Sequence, residues 1–249
     1  DETRKRVDLL HSYLADERAR IENLRIVGVT KEETPEVYDT FMEYTTKAYA
    51  SEKSPLELSF IPIHPGDILS YGGYHFEVKL LKGHTFGQCG LYEPEKKLMF
   101  VGDQLMTTIV PIVGTQETDL GMLKCYLDSL GDLKHNYKDC YFLPCHYGEI
   151  RNVEKEVNRI ILGYLEKCEI MKHVLEEAGT ALTTRDIGVR TYGRSQGPPD
   201  YAHFASCTYI WAKTFSCMEY MMGEGFVERS ERDGIIYWKA PSIHFENNR

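Results

Sequence analysis

Three side chains in this sequence share one layout, and all three are of types that bind metal ions. His84 stands in Lys82-Gly83-His84-Thr85-Phe86-Gly87, Asp103 in Val101-Gly102-Asp103-Gln104-Leu105, and His146 in Leu143-Pro144-Cys145-His146-Tyr147-Gly148. Each follows a short β-rich run, ending at Leu81, Val101 or Leu143, and each has a glycine close by that permits a tight turn. If those strand ends lie on one sheet edge, the three side chains converge. Two imidazoles and a carboxylate suit zinc and also accept iron or manganese. Taken singly, each reads as well as a loop histidine or a turn aspartate, so the shared layout carries the metal reading. Cys145 is a nucleophile by type. Adjacent side chains on a short loop point apart, however, and it reads better as a small buried side chain beside His146.

The elements that must position these residues can be read from periodicity. Residues 1 to about 50 carry Leu9, Leu10, Leu14, Ile21 and Leu24 at helical spacing, with a stop near Gly28. A second helix begins at Thr34-Pro35, an N-cap followed by proline in the first turn, with Val37, Phe41, Tyr44 and Ala48 as its apolar stripe. After Pro55 the texture changes. Leu58 to Ile61, Ile68 to Ser70, Tyr74 to Leu81, Gly90 to Tyr92 and Leu98 to Val101 are short, β-rich and punctuated by Gly and Pro, which predicts an antiparallel sheet. A helix over about 120–133 and a strand from Cys140 to Leu143 follow. A long helix runs from Asn152 to Ala178 and stops at Gly179; Val157, Ile160, Ile161, Tyr164, Cys168, Met171, Leu175 and Ala178 mark its buried face. Beyond it, Thr183 and Asp186 open a short helix, another runs from Tyr201 to Met222 with Phe204, Trp211, Phe215, Met218 and Met222 on one face, and a hairpin turns at Asp233-Gly234. Helix, helix, hairpin is the plan of a winged helix.

Composition sets the outer bounds. Of 249 residues, 42% are hydrophobic and 27% charged, too apolar for disorder and too interrupted by charge for a membrane span. The net charge of -9 gives no general attraction for a phosphate backbone. Seven cysteines, an odd number without a C-x-x-C, argue against a disulfide scaffold and point to a reducing, cytoplasmic setting. The chain opens at Asp1 with no apolar leader core.

Together the motifs resemble the metallo-β-lactamase superfamily, and within it hydrolases that end in a winged-helix domain. Gly83-His84-Thr85-x-Gly87 is similar to that family's G-H-T-x-G element, Val101-Gly102-Asp103-Gln104-Leu105 to its G-D-x-L element, and Pro144-x-His146-x-Gly148 to its P-G-H-G element. Tyr126-Leu127-Asp128-Ser129-Leu130 resembles the helix between the last two ligands. The likeness spans roughly residues 55 to 240. It implies an α/β fold, an αββα sandwich with a metal centre at the sheet edge. It also implies that His84 binds a first metal, Asp103 bridges two, and His146 binds the second. Two zinc ions fill a complete site, with iron or manganese as alternatives, and a metal-bound hydroxide attacks the electrophile. The implied substrate is a small ester, thioester or lactone.

The sequence also departs from the family. Its H-x-H-x-D-H motif, source of the other four ligands, is absent: no two of the nine histidines are separated by one residue. Phe86 stands where the family usually has proline, and Cys145 where it usually has glycine. A chain that begins after the first half of the sandwich accounts for this, and it leaves a sheet face bearing Leu80, Leu98 and Phe100 without its partner layer. The expected partners are therefore a missing N-terminal segment or a second chain, a small-molecule substrate and a homodimeric copy, with no membrane; residues 1 to 50 covering the sheet instead would refute the missing layer. The organisation expected is a helical insertion over 1–54, whose Tyr13, Phe41 and Tyr44 are candidate pocket walls or a plain packing face. The C-terminal half of the metallo-β-lactamase-like domain follows over 55–151, then a linking helix over 152–179 and a winged-helix domain over 180–249.

Two other functions compete. A non-catalytic, degenerate member would use the winged helix for contacts, and a metal-dependent ribonuclease would need a basic groove. Between Thr180 and Arg249 eight Lys or Arg face eight Asp or Glu, and the would-be recognition helix has only Lys213, which argues against nucleic acid.

Overall fold

Five short strands build the sheet that carries the three candidate residues. The computed structural model describes residues 17–51, 61–113, 121–193 and 201–241. The strands are β1 (Ile68–Tyr71), β2 (Tyr74–Leu80), β3 (Cys89–Glu93), β4 (Leu98–Gly102) and β5 (Tyr141–Pro144), side by side in chain order. Leu58 to Phe60, expected to begin a further strand, lie outside the described residues.

The closely spaced strands pair antiparallel, as their spacing predicts, and the later strand makes the sheet mixed. Neighbours β1 to β4 are antiparallel, but β5 runs parallel to β4. The chain between these two includes a helix (Met122–Asn136), and a crossover of that length returns the strand in the same direction. The alternation means that β2, β4 and β5 all point the same way. Their C-terminal ends share one edge.

The two faces of this sheet differ. Met99, Val101 and Phe142 are fully buried on one face, in a core with Leu123, Tyr126 and Leu130 and with Val157, Ile160 and Tyr164. The register puts Leu69, Phe76, Val78, Leu91, Phe100 and Leu143 on the other face. Val78 is buried there, yet Leu80 and Phe100 are each 41% exposed, and Phe100 touches Phe76 edge-on at 5.7 Å.

The helices follow in chain order as α1 (Glu17–Ile26), α2 (Pro35–Ser51), α3 (Met122–Asn136), α4 (Val153–Ala178), α5 (Thr184–Tyr192) and α6 (Tyr201–Gly223). α4 starts where Asn152 accepts a hydrogen bond from Lys155 N–H at 2.9 Å, and it stops at Gly179 in the left-handed conformation. Its buried residues, from Val153 to Leu175, make one continuous face, as the spacing predicts.

The C-terminal elements form a second, smaller assembly. β6 (Leu182–Thr183), β8 (Ile235–Lys239) and β7 (Glu228–Arg232) make a three-stranded sheet in that order. Thr183 caps α5 by accepting from Asp186 N–H. Trp238 is fully buried, stands edge-on to Phe215 and donates its indole N–H to Thr184 Oγ1 at 2.9 Å. The N-terminal helices join this assembly. Leu24, Val29 and Trp211 form a small core, onto which Val37, Phe41 and Met42 pack, and Arg185 N–H donates to the Val27 carbonyl. Phe41 is thus a packing residue, while Tyr13 lies outside the described residues. Among the described residues no helix is long and apolar enough to cross a membrane.

Candidate metal centre

All three sequence-predicted residues arrive at the same edge, each just past the end of a strand. Two close approaches fix their loops. A Cβ on Gly83 would lie 2.3 Å from the Tyr126 ring, and one on Gly102 would lie 2.2 Å from Gln88 Nε2. A side chain before His84 would run into the Tyr126 ring and backbone, whereas before Asp103 the Gln88 amide could swing aside and it is the left-handed backbone, with φ of 57°, that favours glycine. Cys145 N–H donates to the Gly102 carbonyl at 3.1 Å, which ties the His146 loop to the Asp103 loop.

Asp103 is the centre of the group. His84 Nε2 lies 3.7 Å from its Oδ2, and His146 Nε2 lies 3.6 Å from its Oδ1. These separations exceed a hydrogen bond, which ends near ~3.2 Å. They are close to the ~3.4 Å expected between two donors that each lie ~2.1 Å from one shared cation. Asp103 Oδ1 is buried and has no hydrogen-bond partner among the described residues. A buried carboxylate oxygen without a partner is costly, and a cation between it and the imidazole removes that cost. The residues present therefore fit a metal. The side chains bracket one carboxylate, each imidazole at its own oxygen, and do not close on a common point; among the described residues no ready-made cage of three or more His, Cys, Asp or Glu exists.

Backbone and buried polar groups hold the bracket. His84 Nδ1 lies 2.8 Å from the Ile112 carbonyl. A carbonyl only accepts, so that contact requires the proton on Nδ1, and in the neutral imidazole the lone pair is then on Nε2, the nitrogen that faces Asp103. Gln104, fully buried, clasps both loops: its Nε2 donates to the Lys82 carbonyl and to Ser129 Oγ, and its Oε1 accepts from His84 N–H. Tyr126 donates to the Gln104 carbonyl at 2.8 Å. Burial pushes the Tyr126 phenol far above its usual range, so it remains a donor.

Several of these groups were not visible as functional from the sequence. Gln104 lies inside the Gly-Asp motif without a chemical signature of its own. Tyr126 and Tyr164 look like core aromatics on helical stripes. Cys145 corrects the sequence reading, because it is exposed at the end of β5 and not buried. Tyr147, beside His146, has a left-handed backbone with φ of 67° and a half-exposed ring, and its carbonyl accepts from Thr107 Oγ1.

No family model matches the chain. A metallo-β-lactamase family protein of Thermus thermophilus superposes with a TM-score of 0.70 at 19% identity, over 93% of this chain and 68% of that one. A β-lactamase domain protein of Burkholderia ambifaria gives 0.73 at 20% identity, over 94% of this chain and 63% of that one. The hydroxyacylglutathione hydrolase GloC of Haemophilus influenzae is 50% identical over 40 residues, 16% of this chain and 19% of that protein. The two structural likenesses establish the fold: an α/β architecture with a mixed sheet and helices, shared with metallo-β-lactamase proteins.

Proposed function

We propose that this chain, which carries the metallo-β-lactamase fold, belongs to a metal-dependent hydrolase and presents His84, Asp103 and His146 to the metal. The observation that carries the reading is Asp103 Oδ1, buried, unpartnered and flanked by an imidazole. Zinc is the proposed ion, two per complete site, with iron or manganese as alternatives. When bound, the metal supplies a water of lowered pKa and polarises a substrate oxygen. The chain's own residues do the rest. Ile112 fixes the tautomer of His84, Gln104 locks the His84 and Asp103 loops together, and Asp103 sets one oxygen beside each imidazole, at the spacing of two donors to one cation. The proposed substrate is a small ester, thioester or lactone, and the 40-residue likeness to a hydroxyacylglutathione hydrolase favours an acyl group.

In this reading a second sheet layer lies on the apolar face and completes the ligand set. It comes from further polypeptide of the same protein or from a second chain. The C-terminal assembly reads as a winged helix with a structural task. In α6 Thr214 to Glu219 are buried without a break, and Lys213 Nζ sits 4.7 Å over the Tyr164 ring, so the helix faces inward and not toward a groove.

Metal content and chelator-sensitive hydrolysis test the proposal. The natively purified protein is assayed on a hydroxyacyl glutathione, an aryl acetate and an acyl lactone. At least one metal per chain is expected, and Asp103→Asn lowers hydrolysis by roughly 100-fold or more. Substoichiometric metal with no chelator-sensitive hydrolysis would leave the non-catalytic reading in its place.

A further inference from the structure

Tyr164 lies on α4, outside the bracket of candidate ligands, and is fully buried. Its hydroxyl accepts a hydrogen bond from Val113 N–H at 2.9 Å and donates one to the Pro111 carbonyl at 2.6 Å. These two contacts fall on either side of Ile112, and Ile112 supplies the carbonyl that His84 Nδ1 meets at 2.8 Å. One phenol therefore holds both flanks of the residue that sets the histidine's tautomer.

The support behind that phenol is rigid. α4 is a 26-residue helix anchored at both ends. The Tyr164 ring stands edge-on to Tyr126 at 5.9 Å, and Lys213 Nζ lies 4.7 Å above it. Burial drives its ionisation well above the usual tyrosine range, so the O–H donor persists at every physiological pH. An unsupported loop carbonyl would sample several positions, and the imidazole would then exchange between its two tautomers.

We infer that Tyr164 is a positioning residue, which fixes the tautomer and direction of His84 by clamping the backbone on both sides of Ile112. The inference rests on the reading of His84 as a metal ligand. It assigns the ligand's outer support to a hydroxyl on a helix 80 residues further along the chain.

Tyr164→Phe removes the hydroxyl and keeps the ring. The test combines nitrogen-15 NMR of the neutral histidines in metal-free protein with zinc affinity from competition against a chromogenic chelator. Wild type is expected to show His84 with its proton on Nδ1 alone. In Tyr164→Phe both tautomers appear and zinc affinity falls 10- to 100-fold. Wild-type tautomer and zinc affinity in Tyr164→Phe would overturn the inference, because a purely structural tyrosine predicts that result. If neither protein binds zinc, the hydrolase reading falls and the tautomer alone decides the role of Tyr164. Amide exchange in the wild type needs no variant: Val113 is expected to be protected like the core of α4, and fast exchange there refutes the clamp.

Discussion

The two sheets formed by the described residues solve the same problem differently. The three-stranded sheet β6-β8-β7 sends Ile236 and Trp238 into the core with Ile187 of α5 and Phe215 of α6, and Ile235, on the opposite face, is buried as well. The five-stranded sheet buries Met99, Val101 and Phe142 against the helices but leaves Leu80 and Phe100 41% exposed on its other face. Each large apolar side chain left in water forgoes part of the ~1.5–3 kcal/mol that full burial provides. The small sheet is thus satisfied by the elements around it. The large one has the composition of a surface meant to be covered. The candidate metal centre sits at the edge of that half-covered sheet, and this links the fate of the face to the fate of the site.

Substitutions in the two sheets sharpen this contrast. Trp238→Ala removes a buried indole and orphans Thr184 Oγ1. It is expected to cost about 3–5 kcal/mol in a urea titration. A cost below about 1 kcal/mol would mean that the small assembly is loosely packed. Tyr147→Gly relieves a left-handed backbone at the site edge. A gain of about 1 kcal/mol is expected in the same measurement; a loss would show that the Tyr147 ring contributes more than its backbone costs. The smallest stability change is expected from Phe100→Ser on the exposed face. This chain alone should shift by under about 1 kcal/mol and bind less of a hydrophobic dye. A cost of several kcal/mol would break the comparison, because it would mean that the face is already covered.

Much of the architecture was legible in local signals. Thr34-Pro35, Asn152, Gly179 and Thr183 mark helix ends by capping chemistry that needs no distant partner, and the helices begin or end at those points. The face of α4 was legible because seven buried residues recur at helical spacing. The direction of β5 was not legible, since parallel and antiparallel strands share the same residue pattern and only the path of the crossover separates them. The destination of α2 was open in the same way. Its apolar stripe has to pack somewhere, but nothing in the stripe specifies that Trp211 receives it.

His84, Asp103 and His146 divide along the same line. Their types and their places after strand ends are properties of the sequence, because a turn with a glycine is encoded within a few residues. Their meeting around one carboxylate, with an orphaned oxygen at its centre, is a property of the assembled sheet. The supports from Ile112, Gln104 and Tyr164 are more distant still. They join backbone and side chains 20 to 53 residues apart. Local sequence determines which groups can bond, whereas only the closed tertiary structure brings these donors and acceptors together where water cannot compete for them.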